Sequence, residues 1–169
     1  HIMRRQILLD VAQEVGATVT FAVPRETGMD YLDRVETRWA FRIQLPIGSR
    51  VPFHCTASGK TFLASLPMAK LKNFLATLHL QAMTKNTHVS TATLLAEISQ
   101  VRKNGYALDQ EEFMDDMVAI AVPVTDPKNR YIAALAFHGP KQRVNIPDAI
   151  ESKELLQSAA RRISESLFA

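Results

Sequence analysis

The chain has 169 residues, 47 % hydrophobic and 22 % charged, with a formal net charge of +3 and one cysteine. That length supports one domain with its own core, and the balance is that of a globular fold rather than a disordered segment. No apolar run approaches the roughly 18–20 residues of a membrane span, no signal-peptide pattern opens the chain, and the lone Cys55 excludes an internal disulfide framework and suits a reducing cytoplasm.

His1-Ile2-Met3 reads as a cloning remnant ahead of an internal start, so residues 4–169 are expected to form one domain of a protein that continues upstream. From residue 5 to 15, Ile7, Leu8, Val11 and Val15 make a helical stripe that Gly16 can close. Residues 17–23 are β-branched and alternating, Pro24 to Gly28 supply a turn, and residues 29–37 and 39–45 read as further strands. In the last of these Trp39, Phe41, Ile43 and Leu45 face one way and Ala40, Arg42 and Gln44 the other. A turn-rich loop covers 46–56. A helix follows over 57–66, Pro67 opens another through Leu78, and residues 90–105 carry a third with a Ser start and a Gly stop. Residues 106–109 and 118–124 are strands around an acidic loop, and 126–129 turn into the hairpin partner 131–137, which Gly139-Pro140 should break. Asp148 with Glu151 resembles a capping pair before a final amphipathic helix to about residue 168. Antiparallel neighbours with grouped helices predict an α+β fold, not a wound βαβ sheet.

The basic residues are scattered as Arg4-Arg5, Arg102-Lys103, Arg161-Arg162 and singles. No stripe of Lys and Arg interleaved with aromatics tracks a phosphate backbone, so solvated helix faces explain them better than a DNA site within this chain. Ser58-Gly59-Lys60-Thr61 has the ending of a phosphate-binding loop, but the glycine needed five residues before Gly59 is His54. The same segment fits an anion receptor: Thr56 and Ser58 are small and polar, Ala57 admits close approach, and a helix start offers free amides and a positive dipole end. The competing reading is that Thr56 only caps the helix. Cys55 beside His54 invites a thiol nucleophile, yet neighbours on an extended loop point apart, so each would need a partner elsewhere. A metal site from His54, Cys55, His138 and a carboxylate lacks any ligand spacing of the HxxxH or CxxC kind. Asp109, at a strand end before an acidic loop, can turn inward to accept from a ligand, or simply sit in a solvated connection. Ala136 and His138 stand two apart and share a strand face, where Ala136 leaves room and His138 presents either a polar tip or a satisfied core histidine.

Three separated runs in this order, 46–67 (PIGSRVPFHCTASGKTFLASLP), 101–112 (VRKNGYALDQEE) and 118–144 (VAIAVPVTDPKNRYIAALAFHGPKQRV), resemble the effector-binding domain of IclR-type bacterial transcription regulators. The resemblance covers nearly the whole chain after the first three residues. It implies a GAF-like (PAS-like) domain, a curved antiparallel sheet of five to six strands flanked by helices, with a pocket for a small metabolite. It implies dimers or tetramers, a cytoplasmic setting, no cofactor, no metal and no catalysis. DNA would be contacted only through an N-terminal winged helix-turn-helix, which these residues do not contain. Carried over by position, the pocket falls on Ala57, Ser58 and Gly59 at the helix start, on Asp109, and on Ala119, Ala136 and His138. Ala119 stands where the family commonly has Cys, and Ala136 and His138 where it commonly has Ser. Losing those small donors and gaining an imidazole points to an organic or aromatic acid larger than a two- or three-carbon one. The alternative function carried forward is a small cytoplasmic hydrolase with Cys55 as nucleophile.

Overall fold

The computed structural model describes residues 2–36 and 47–168. In chain order these form α1 (Ile2–Val15), β1 (Thr18–Pro24), β2 (Met29–Val35), β3 (Arg50–Val51), α2 (Ala57–Ser65), α3 (Met68–Thr77), α4 (Thr91–Asn104), β4 (Ala107–Gln110), β5 (Met117–Thr125), β6 (Tyr131–Pro140), α5 (Ile146–Glu151) and α6 (Lys153–Phe168). The strands make one sheet in the order β3-β2-β1-β6-β5-β4, and every pairing is antiparallel. This is the α+β fold expected from antiparallel neighbours with grouped helices, and the GAF-like architecture that the family resemblance implies.

Period two along the central strands decides what each face of the sheet can pack against. Val19, Phe21, Val118, Ile120, Val122, Leu135 and Phe137 point to one face and bury against α1 and α6, where Leu8, Val11, Leu156 and Ile163 meet them. The residues between them are small: Ala22, Ala119, Ala121, Ala134 and Ala136, all buried, face α2. Large side chains on one face build the main core, and alanines on the other let a helix come close. Asp33 ties the first face together, since Arg5 Nη1 donates to its Oδ1 at 2.5 Å across 28 residues.

The helix ends follow the expected signals in most places. Ser90 caps α4 and Gly105, at φ 78°, closes it with its amide on the Val101 carbonyl at 2.9 Å. Four expectations change. Gly139-Pro140 does not break the hairpin strand: β6 runs on to Pro140, which pairs with Met117 at the sheet's end, a position where a missing N–H is tolerated. The last helix is two, α5 and α6, meeting at Ser152. Its cap is Asn145, not Asp148, because Pro147 belongs in the first turn and moves the start upstream. Asp148 instead donates its amide to Asn145 Oδ1 at 2.9 Å and accepts from Asn145 Nδ2 at 2.8 Å. The loop 46–56 contains a two-residue strand, β3, paired to Met29 and Asp30. The strand expected over 39–45 lies outside the described residues.

Candidate functional site

Strand register brings the expected residues into one row. Asp109 pairs with Ala119, Ala119 with His138, and His138 with Thr18, so the four side chains line up across β4, β5, β6 and β1 on the α2 face. The next row holds Ala107, Ala121, Ala136, Thr20 and Arg34. Asp109, Thr18, Thr20, Arg34 and His138 are all buried, an unusual concentration of polar groups on a sheet face.

Above these rows sits the start of α2. Thr56 is its cap: Oγ1 accepts from the Gly59 amide at 3.0 Å and donates to the Pro52 carbonyl at 2.7 Å. That leaves Ala57 and Ser58 as the amides with no preceding helical turn to serve. Gly59 fills a different part. A Cβ there would lie 2.3 Å from the Phe53 carbonyl oxygen and 2.4 Å from Phe53 Cα, so only glycine lets α2 start this close to the incoming chain. Ala57 packs in one cluster with Ala107, Ala119, Ala121 and Ala136, so the alanines hold helix against sheet while Asp109 and His138 flank Ala119 in its row. Structure thus brings together Ala57, Ala119 and Ala136 by packing, and Asp109, Ala119 and His138 by register.

Asp109 carries the most distinctive electrostatics. It is 1 % exposed; Oδ1 accepts from the Glu112 amide at 2.8 Å, while Oδ2 is buried with no hydrogen-bond partner among the described residues. Burial pushes its carboxyl up to about 7, against the pull of the Glu112 and Phe113 amides. Near neutral pH the group is therefore poised between a neutral donor and a buried anion, and its second oxygen has no hydrogen-bond partner among the described residues.

Beside it lies a cluster that the sequence reading missed. Lys60, fully buried on α2, donates from Nζ to Glu97 Oε2 and to Glu112 Oε1, each at 2.7 Å. Burial alone would lower the Lys60 ammonium; the two carboxylates outweigh it and raise it above the usual lysine range. A phosphate loop would aim this lysine at its nucleotide, and here it is committed to carboxylates. His88, Glu97 and Glu112 place three possible metal donors within 4.8 Å of one another, but the ammonium already serves both carboxylates, so the donor set reads as an ion-pair network. The available signal was spacing: Lys60 stands three before buried Leu63 on α2, on the face that had to be covered.

The thiol reading does not survive. Cys55 is completely buried, and burial, followed by the nearby Asp109 and Glu112 carboxylates, pushes it up to about 12. His54 turns away, its Nε2 2.9 Å from the Gln81 carbonyl, and burial lowers its basicity. Cys55 should therefore resist a thiol-selective disulfide reagent in the native chain and react fully after denaturation; rapid native labelling would contradict this placement.

A cleft of about 830 Å³ opens elsewhere, lined by Phe62, Leu66, Lys70, Arg102 and Tyr131 among others. None of the expected site residues lines it. No described helix is long and apolar enough to cross a membrane.

Comparison with known proteins agrees with the fold. The family model for the bacterial transcriptional regulator IclR C-terminal domain matches residues 2–165. A probable transcriptional regulator, SauR, of Cupriavidus necator is 38 % identical over 143 residues, 85 % of this chain and 57 % of its own. The HTH-type transcriptional repressor AllR of Escherichia coli K12 is 32 % identical over 165 residues, 98 % of this chain and 59 % of its own. The chain thus spans less than two thirds of the length of these curated relatives. Among solved structures, a double mutant of the PobR inducer-binding domain from Acinetobacter, in complex with 3-hydroxybenzoic acid, superposes with a TM-score of 0.87 at 26 % identity, covering 94 % of each chain. The relatives are transcriptional regulators, and nothing supports a hydrolase. The chain belongs to the IclR family of bacterial transcriptional regulators, as a C-terminal effector-binding domain.

Proposed function

We propose that this domain binds an organic or aromatic carboxylate between the start of α2 and the row Asp109, Ala119 and His138. In the longer protein that binding would bias DNA contact by an upstream winged helix-turn-helix through its differential affinity for two arrangements. The observation that carries the reading is Asp109, deeply buried with one unpartnered oxygen and in register with Ala119 and His138. The amides of Ala57 and Ser58 and the dipole of α2 would hold the carboxylate, with Gly59 allowing the helix its position. Ala119 and Ala136, packed beneath Ala57, would keep bulky side chains off the ligand, and His138 would donate to it or stack on its ring. The 3-hydroxybenzoic acid bound by PobR supports a ligand of this class. The reading includes a homodimer or tetramer, a cytoplasmic setting, no cofactor, no metal and no turnover, with residues 4–169 in one sensing domain.

The test is calorimetry with 3-hydroxybenzoate and a series of two- to six-carbon acids. An acid that binds wild type should bind His138→Ala, which loses the ring donor, and Ser58→Val, which loses the hydroxyl beside the Ser58 amide, about tenfold or more weakly, the size of one lost charge-assisted hydrogen bond. Equal affinity in all three proteins, or no binding by any acid of the series, would contradict the reading.

A further inference from the structure

Asp109 is not held by its own strand alone. Beyond it the chain turns sharply, with Glu111 in the left-handed region at φ 58°, a conformation that a non-glycine residue adopts at a cost. Four of the hydrogen bonds that hold that turn involve Glu112 or the carbonyl before it. Glu112 donates its amide back to Asp109 Oδ1 at 2.8 Å, and its own Oε2 accepts from the Gln110 amide at 3.0 Å. Thr84 Oγ1 donates to the Glu111 carbonyl at 2.5 Å and Thr87 Oγ1 to the Glu112 carbonyl at 2.6 Å. The remaining carboxylate oxygen, Glu112 Oε1, is taken by Lys60 from α2, which also grips Glu97 on α4. Lys60 is two residues past Ser58. One ammonium therefore joins the helix start that would hold the ligand's carboxylate to the turn that aims Asp109.

We propose that Lys60 is a positioning residue for ligand binding: by clamping Glu112 against α2 and α4 it fixes the turn whose amide grips Asp109, and so sets Asp109 opposite the start of α2. This rests on the reading that Asp109 and α2 bound the ligand site, but the clamp itself can be read without any ligand. Breaking the Lys60 pair frees Glu112 and, with it, the hydrogen bond to Asp109 Oδ1. The pair is local, so the sheet and α2 should keep their own hydrogen bonds.

The experiment is residue-resolved amide hydrogen exchange on the ligand-free 169-residue chain, comparing wild type, Lys60→Met, Lys60→Arg, and the double variant Lys60→Met with Glu112→Gln. The double variant is included because Lys60→Met strands a buried carboxylate and can fail to fold, whereas removing both charges is far better tolerated. The expected result is exchange at the Glu112 amide at least tenfold faster in both Lys60→Met proteins, or in the double variant alone if the single does not fold. Ile120 on β5 and Leu63 on α2 should be unchanged, with substantial recovery in Lys60→Arg. An unchanged Glu112 amide, or acceleration equal at Glu112, Ile120 and Leu63, would overturn the proposal, the second because a purely structural lysine loosens everything alike. Carboxylates that bind wild type but fail to discriminate Asp109→Ala would instead strike at the ligand site while leaving the clamp standing.

Discussion

Asp109→Asn is expected to make this chain more stable at about pH 8 and to leave its stability at about pH 4 nearly unchanged. Burial raises the folded carboxyl from 3.8 to about 7. The folded state keeps a proton that the unfolded chain releases, so stability falls as pH rises between those two values, and the whole penalty is present above about 7. At roughly three units the penalty is up to about 4 kcal/mol. An Asn cannot ionise and keeps an oxygen for the Glu112 amide, which now reaches Asp109 Oδ1 at 2.8 Å. Urea denaturation of both proteins across this range checks the sign; a difference that does not change with pH would refute it. The same substitution should leave carboxylate binding little changed below about pH 7, where the Asn Nδ2 donates in place of the neutral acid, and strengthen it above about pH 7, where wild type would set a second carboxylate against the ligand.

Gly59→Ala is expected to cost more than any ordinary glycine replacement. On helix propensity alone the change should stabilise by up to about 1 kcal/mol. Against that, the new methyl would stand 2.3 Å from the Phe53 carbonyl oxygen and 2.4 Å from Phe53 Cα. Those are backbone atoms, and the Phe53 ring is itself packed against Phe62 and, edge to face, Phe74 at centroid distances of 5.2 and 5.3 Å. Either α2 lifts from the alanine face or the Phe53 segment moves, and both break packing. The expected loss is about 3 kcal/mol or more, equivalent to a melting temperature lower by about 10 °C in a chain of this size. Differential scanning calorimetry measures it; a melting temperature within about 2 °C of wild type would mean that α2 does not approach Phe53 so closely.

Much of this was open to inspection in the residues. Thr56 before a helix, the two-apart spacing of Ala136 and His138, and Asp109 at a strand end each pointed to the right element. Their meeting was not legible. Period two says that Ala136 and His138 share a face, but only hairpin register sets His138 beside Ala119 and Asp109, and register depends on the length and geometry of turns 111–116 and 126–130. The alanines were visible as small residues, yet their first role is to let α2 lie on the sheet, which follows from packing with Ala57 rather than from composition. Lys60 escaped because lysines are ordinarily solvated and its partners Glu97 and Glu112 lie 37 and 52 residues away. At the far end, Asn145 was overlooked for Asp148 because an Asp followed by Glu three residues on has a capping pattern. Pro147, favoured in a first helical turn, was the stronger cue.

The account depends on a carboxylate lying against both the first amides of α2 and the buried end of Asp109. Its most direct test is a crystal structure of the chain grown with the tightest-binding acid from the calorimetric series. The account predicts ligand density within hydrogen-bond reach of the Ala57 or Ser58 amide, with a second polar contact to Asp109 Oδ2 or the His138 ring. Density confined to the cleft beside Phe62 and Tyr131, with the Asp109 row untouched, would contradict it.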